Sequence, residues 1–161
     1  METEPITIEG AKKLQDELSD LINNKRQKVI QAIAEAREHG DLKENAEYHA
    51  AKEEQGHIEG RISEIQNMLA NAEVIDVAKI PSNQKKIVFG ATVQVEDLDN
   101  AKEVKFRVVG DDEANIELGL ISYKSPVAKG LIGKEKGDFV SIITPKGEKN
   151  YEIKKVSFKI P

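Results

Sequence analysis

Asp41 and Glu44 are the side chains best suited to chemistry, three residues apart in the polar run Glu35-Ala-Arg-Glu-His-Gly-Asp-Leu-Lys-Glu-Asn-Ala-Glu-Tyr-His49. If a helix begins at Asp41, carboxylates at i and i+3 leave its first turn on one side. Ordinary helix-start chemistry produces the same pattern, since Asp is a preferred N-cap and acids complement the positive end of the helix dipole. A divalent cation is the alternative. Mg²⁺ takes about six oxygen ligands in near-octahedral geometry, and two carboxylates at a turn supply only a fraction of them. Such a site stays incomplete until another molecule finishes it, and spacing alone leaves both readings open.

Other polar residues fall near this pair. Arg37 and Lys52 have the charge to meet phosphates. Tyr48 can either pack on the turn or stack on a nucleotide. Lys25, Arg26 and Lys28 are explained as well by a solvated helix flank as by contact with RNA. The three histidines do not make a zinc site: His39 and His49 are ten residues apart and His49 and His57 eight, about 12 Å along a helix. No HExxH, P-loop or nucleophile-elbow pattern is present.

The elements that must position these residues are legible in the hydrophobic spacing. Thr7 is an N-cap candidate, with Glu9 in the first turn. Leu14, Leu18, Leu21, Ile22, Val29, Ile33 and Ala36 then recur at threes and fours, the spacing of one helical face. Gly40 interrupts the pattern and Asp41 is the expected cap of a second helix. Ala46 and Ala50 lead that helix into Ile58, Ile62, Ile65, Leu69 and Ala72, which are spaced 4, 3, 4 and 3 as in a heptad seam. Two helices of about 30 residues, each roughly 45 Å long, joined by a tight turn must run antiparallel. The seam is expected to weaken midway, where Lys25 and Lys28 lie level with Gln55 and Gly56. Close approach of the two backbones is the expected reason for Gly56 and Gly60.

Beyond Asn71 the periodicity changes. Val74–Val77 reads as a short extended segment and residues 80–86 as a linker. Strands are expected at Val88–Val95, Glu103–Val109, Ile116–Ile121, Asp138–Ile143 and Tyr151–Phe158, separated by turn signals. Pro126–Ile132 reads as a short helix with Ser125 as N-cap and Pro126 at its first position. The fold class is therefore α+β: residues 1–78 form a long antiparallel two-helix coiled-coil hairpin, and residues 79–161 a small α+β domain.

Composition bounds the rest. A third of the 161 residues are charged and 4% are aromatic, thin material for one large core. Residues 1–78 carry 9 Lys+Arg against 17 Asp+Glu, a net of −8, and residues 79–161 carry 15 against 12, a net of +3. So acidic a first half argues against tight binding to duplex DNA. The absence of cysteine excludes disulfides and thiolate metal sites. No apolar run approaches the roughly 20 residues that cross a bilayer, and Met1-Glu-Thr-Glu-Pro5 has no signal-peptide pattern. The expected compartment is the cytoplasm, with no membrane partner. A rod with an incomplete carboxylate site at its turn describes a part delivered into another protein's active site. A free-standing nuclease or prolyl isomerase is the competing class, opposed by the incomplete site and the scarcity of aromatics.

The run Ile33–Ala51 closely resembles the tip of the bacterial GreA/GreB transcript cleavage factors. Ser122-Tyr-Lys-Ser-Pro-Val-Ala-Lys-Gly-Leu-Ile-Gly133 resembles a second motif of that family, as do Phe89-Gly-Ala-Thr-Val93 and Val109-Gly-Asp-Asp-Glu-Ala114. Leu42-Lys43 and His49-Ala-Ala51 look like the GreA type. The resemblance spans essentially the whole chain. It implies an FKBP-like C-terminal domain and a monomer that binds the bacterial RNA polymerase elongation complex. It further implies insertion of the coiled coil into the secondary channel and stimulated hydrolysis of the backtracked nascent RNA 3′ end. On this resemblance Asp41 and Glu44 help hold a Mg²⁺ shared with the polymerase, and the isolated protein holds none tightly. Arg37, Lys52 and Tyr48 would meet RNA. The surface around Ser122, Ser125 and Pro126 would dock on polymerase. The chain is then not an enzyme on its own, and a channel-occupying module that leaves hydrolysis unaffected is the alternative.

Overall fold

The computed structural model describes residues 3–40 and 45–158. They form two compact units: Ala11–Ala72, and a second made of the segment ending at Gly10 together with the chain from Glu73 onward. The class is α+β, a long helical hairpin followed by a sheet-rich domain. No helix among the described residues is long and apolar enough to cross a membrane.

In the first unit, α1 (Ile8–Asp20), a π turn (Leu21–Lys25) and α2 (Arg26–Arg37) follow one another without leaving helical backbone. α3 (Ala46–Ala70) returns alongside. Ala11, Leu14, Leu21, Val29, Ile33 and Ala36 are buried on the outgoing path, and Ala51, Ile58, Ile62 and Ile65 on the return. The return frame runs through Ala51 rather than Ala46 and Ala50, both of which are exposed.

The π turn explains the middle of the hairpin. A heptad continued from Leu14, Leu18 and Leu21 would bring Lys25 and Lys28 into the seam. A π turn takes up one residue more than an α turn, so Val29 enters instead, at 3% exposure. Lys25 and Lys28 are exposed and stay out of the seam. Beside the turn lies a groove of about 400 Å³ lined by Leu21 and Ile58 among others. Arg61 grips Glu17 through two bonds of 2.6 and 2.9 Å, and Arg26 meets Glu59 at 2.7 Å. Such partly exposed pairs contribute about 0–1 kcal/mol each. Full burial of a large aliphatic side chain contributes about 1.5–3 kcal/mol, so the seam holds the hairpin. Close approach does not explain Gly56 or Gly60, since a Cβ at either would meet nothing within 4 Å.

The second unit is built on a five-stranded sheet of order β5-β4-β3-β7-β6. The strands are β3 (Thr92–Asp97), β4 (Lys102–Val109), β5 (Leu120–Ser122), β6 (Phe139–Thr144) and β7 (Gly147–Ser157). β3 pairs antiparallel with β4 and β7, β6 antiparallel with β7, and β5 runs parallel to β4. Alternate residues point inward, so Val93 and Val95, Val140 and Ile142, and Tyr151 and Ile153 share one core with Val108 and Ile121. Ala128 and Leu131 of α4 (Pro126–Leu131) close that core.

Two expected strands begin later than predicted. The Val88–Val95 segment becomes β3 only at Thr92, after a turn in which Ala91 N–H donates to Val88 C=O at 3.1 Å. The Ile116–Ile121 segment opens as a 3₁₀ turn (Ile116–Leu118) and extends only from Leu120. Gly119 separates the two at φ +75°, and a Cβ there would collide with the Lys105 carbonyl.

The residues ahead of the first helix form a strand. β1 (Glu4–Thr7) pairs with β2 (Ala72–Ile75) in a second, two-stranded sheet. Thr7 is the expected helix cap, its Oγ1 accepting from Gly10 N–H at 3.0 Å. The same hydroxyl donates to Glu113, which also accepts Thr7 N–H at 3.2 Å and Gly110 N–H at 2.9 Å. Arg107, 8% exposed, meets Glu9 at 3.3 Å, and Lys124 meets Glu4 at 3.0 Å. Burial pushes the Glu9 carboxyl up. A bond to its own backbone, the Arg107 charge and the Arg107 hydrogen bond are among the effects that outweigh it and leave it below its usual value.

Candidate functional site

The connection between α2 and α3 carries the residues of interest. α2 ends at Arg37, with Glu38 and His39 N–H groups closing on Glu35 and Ala36 C=O at 3.1 Å each, and Gly40 follows at φ +122°. α3 does not begin at Asp41. It begins at Ala46, and its N-cap is Asn45, whose Oδ1 accepts Tyr48 N–H at 3.0 Å. The other face of that amide, Nδ2, donates to Ala36 C=O at 2.6 Å. One side chain thus starts α3 and ties it to the last turn of α2. Asp41 and Glu44 lie outside the described residues.

The candidates for RNA contact divide. The Arg37 guanidinium carbon stands 5.9 Å from the centroid of the Tyr48 ring, and Tyr48 meets His49 edge-on at 5.6 Å. Arg37 and Tyr48 therefore form one cationic and aromatic surface beside the connection. Lys52 is engaged separately, donating to Gln55 at 3.1 Å. His39 and Glu47 come within 3.6 Å across the same connection.

Around the second motif, local structure occupies both serine hydroxyls. Ser125 is the N-cap of α4, its Oγ accepting Ala128 N–H at 3.2 Å, with Pro126 at the first helical position as expected. Ser122 Oγ donates to Asp111 at 2.9 Å and accepts Lys124 N–H at 3.1 Å. Pro126 is exposed.

Among the described residues, no three His, Asp or Glu side chains converge as a metal site. Sequence reasoning missed two residues. Asn45 carried a usable signal, an N-cap residue directly before the Ala46–Ala70 helix, but Asp41 competed for the same role. Glu113 carried none, because its partner Thr7 lies 106 residues away.

Two family models cover the chain. One, described as transcription elongation factor, N-terminal, matches residues 4–74; the other, transcription elongation factor, GreA/GreB, C-term, matches residues 81–158. The chain belongs to the GreA/GreB family. The transcription elongation factor GreA of Pasteurella multocida is 58% identical over 96% of this chain and 98% of its own length. That of Haemophilus influenzae is 55% identical over 98% and 99%. A solved structure of GreA factor homolog 1 from Thermus thermophilus is 27% identical over 98% of this chain and 99% of that one, with a TM-score of 0.43. As a member of this family the chain is a transcription elongation factor.

Proposed function

We propose that this protein binds bacterial RNA polymerase in the cytoplasm, places the α2–α3 connection in the secondary channel, and stimulates hydrolysis of backtracked RNA. The observation that carries the reading is the connection itself. Two acids lie in sequence between Gly40 and Asn45, at the end of a hairpin whose helices Asn45 ties together.

The donor set fits Mg²⁺ in kind, because carboxylate oxygens suit a hard cation, and falls short in number. Asp41 and Glu44 would hold the ion jointly with groups of the polymerase. When bound, the ion supplies charge neutralisation and water activation for phosphodiester hydrolysis. This chain's residues do the placing. Arg37 offsets phosphate charge, Lys52 adds a second cation one turn on, and the Tyr48 ring offers a face to a displaced base. The Asn45 bonds fix the start of α3 against the last turn of α2, and positioning of this kind matters because small displacements of reacting groups are costly.

The test adds the protein to a stalled, backtracked elongation complex carrying labelled RNA, beside Asp41→Asn and Glu44→Gln variants. The expected result is rapid 3′-end cleavage with wild type, and variants that still compete for polymerase but stimulate at least about 100-fold less, as for loss of a group stabilising transition-state charge. Equal cleavage by the variants would leave a channel-occupying module and return the acids to helix-start chemistry.

A further inference from the structure

β6 pairs with β7 on one side and, among the described residues, with no strand on the other. Ile153 N–H donates to Asp138 C=O at 2.9 Å. Bonded and non-bonded pairs alternate along an antiparallel ladder. Val140 and Ile142 therefore bond towards β7, and Phe139, Ser141 and Ile143 turn their backbone N–H and C=O groups to the open edge. The side chains alternate in step. Val140 and Ile142 belong to the core, at 7% and 4% exposure, while Phe139 and Ile143 stand out at 69% and 82%. The whole strand, Phe-Val-Ser-Ile-Ile-Thr144, lacks the charges and prolines that keep edges from pairing.

This strand is complementary to itself. A two-fold axis at Ser141 sets two copies of β6 antiparallel and brings each Phe139 opposite Ile143 of the other copy, an aromatic and β-branched pair of the kind that stabilises sheets. Val140 then faces Ile142 on the core side, so apolar meets apolar on both faces. Ser141, the smallest residue of the strand, falls at the axis, its hydroxyl donating to Asn150 Oδ1 at 2.6 Å on the β7 side. Sliding the register by one residue would set core-side against outer-side residues. The open groups of Phe139, Ser141 and Ile143 supply roughly six new backbone bonds in this register. The opposite edge of the sheet offers no such match. β5 is three residues long, and Leu120 already exchanges bonds with Asn115 at 2.8 and 3.0 Å. Pairing of like edges closes at two copies, whereas pairing of unlike edges would propagate.

We propose that β6 is a self-recognition edge through which two copies of this chain join their sheets in an antiparallel, two-fold pair. The surface involved is one short strand from each copy, at the low end of specific interfaces. The pair therefore forms at high protein concentration and separates on dilution. Phe139 and Ile143 make its apolar contacts, and Ser141 marks its centre.

The chain contains no cysteine, so introduced thiols report the register. Bonded antiparallel partners lie about 5.5 Å apart at Cα, within disulfide reach. Mild oxidation of Ser141→Cys should yield a linked dimer. In Phe139→Cys the two thiols sit about four residues, roughly 14 Å, from each other and should link at least about tenfold more slowly. Phe139→Cys/Ile143→Cys should link again. Sedimentation of wild type from about 10 µM to about 1 mM should show the dimer fraction rising, and Ile143→Lys should stay monomeric over that range with an unchanged thermal midpoint. A wild type that is monomeric throughout overturns the proposal. So does a dimer indifferent to Ile143→Lys, or equal linking of Ser141→Cys and Phe139→Cys. An Ile143→Lys variant that competes at least about tenfold more weakly than wild type for a stalled elongation complex assigns the edge to polymerase, and also overturns it.

Discussion

Asn45 Nδ2 donates to Ala36 C=O at 2.6 Å, so the first capping residue of α3 holds a carbonyl in the last turn of α2. The bond spans nine residues and closes the hairpin next to the acids. Asn45→Ala removes both the cap and this tie and should destabilise the hairpin by about 1–2 kcal/mol. Asn45→Asp keeps the acceptor for Tyr48 N–H but loses the donor. It should fall between the two in urea unfolding of the full protein, and an Asp variant as damaged as the Ala variant would mean the cross-hairpin bond carries the effect.

Gly56 and Gly60 sit in the middle of α3 with open space where a Cβ would go. Gly56→Ala and Gly60→Ala should each raise stability, by about 0.5–1 kcal/mol. Chemical denaturation followed by helical circular dichroism reads this directly. A loss in either variant would show that the glycine serves a contact the free protein does not make.

Glu113 collects Thr7 N–H, the Thr7 hydroxyl and Gly110 N–H on one carboxylate. Glu113→Ala leaves these donors without their partner and should cost about 1–3 kcal/mol. Hydrogen exchange should localise the opening to Thr7 and Gly110, while α3 amides keep their protection.

The Glu17 carboxyl lies below its usual range because Arg61 hydrogen-bonds it, with the Arg61 and Lys25 charges adding to that against a burial effect of opposite sign. A lowered carboxyl stabilises the fold above the unfolded-state value of 4.5 and loses that contribution as pH falls through its own lower value. Acidification from pH 5 towards about pH 3 should therefore cost wild type more than Glu17→Gln. The pair is partly exposed, so the difference should be well under about 1 kcal/mol and shrink in high salt. Parallel stability curves for the two proteins across this range would contradict it.

β6 is an edge strand with Phe139 and Ile143 exposed at 69% and 82%, and no charge or proline between them. Natural edges are usually protected by such residues. Ile143→Lys should raise the concentration at which the protein stays clear of aggregates, as read by light scattering, and leave the thermal midpoint within about 0.5 kcal/mol equivalent.

Fold class, the two helical runs and four of the five sheet strands were legible because their periodicities are local. The hairpin seam at Ile58, Ile62 and Ile65 and the Ser125–Pro126 cap could be read directly from spacing. What escaped depends on distant partners or on a change of helical count. β1 is short and finds β2 across the length of the hairpin sequence. Ile116–Leu118 has the composition of a strand, and only the Gly119 turn against Lys105 makes it a 3₁₀ turn. The candidate site was legible as a set of residue types. The side chain that organises its base, Asn45, was hidden by an equally good capping residue four positions earlier.

The π turn at Leu21–Lys25 sets an azimuth as well as a seam. Each residue of an α-helix turns the chain by about 100°, so one residue absorbed in this turn decides which way everything from Val29 to Arg37 faces about the axis. Wound as an α turn with no residue removed, the same segment would swing Arg37 about a quarter-turn from its present bearing, whereas deleting Asn23 should remove the π turn and leave Arg37 facing as it does now. Helix content and length would barely change. The direction in which the far end of the hairpin offers its charges is thus encoded in a residue count some fifteen positions earlier in the chain.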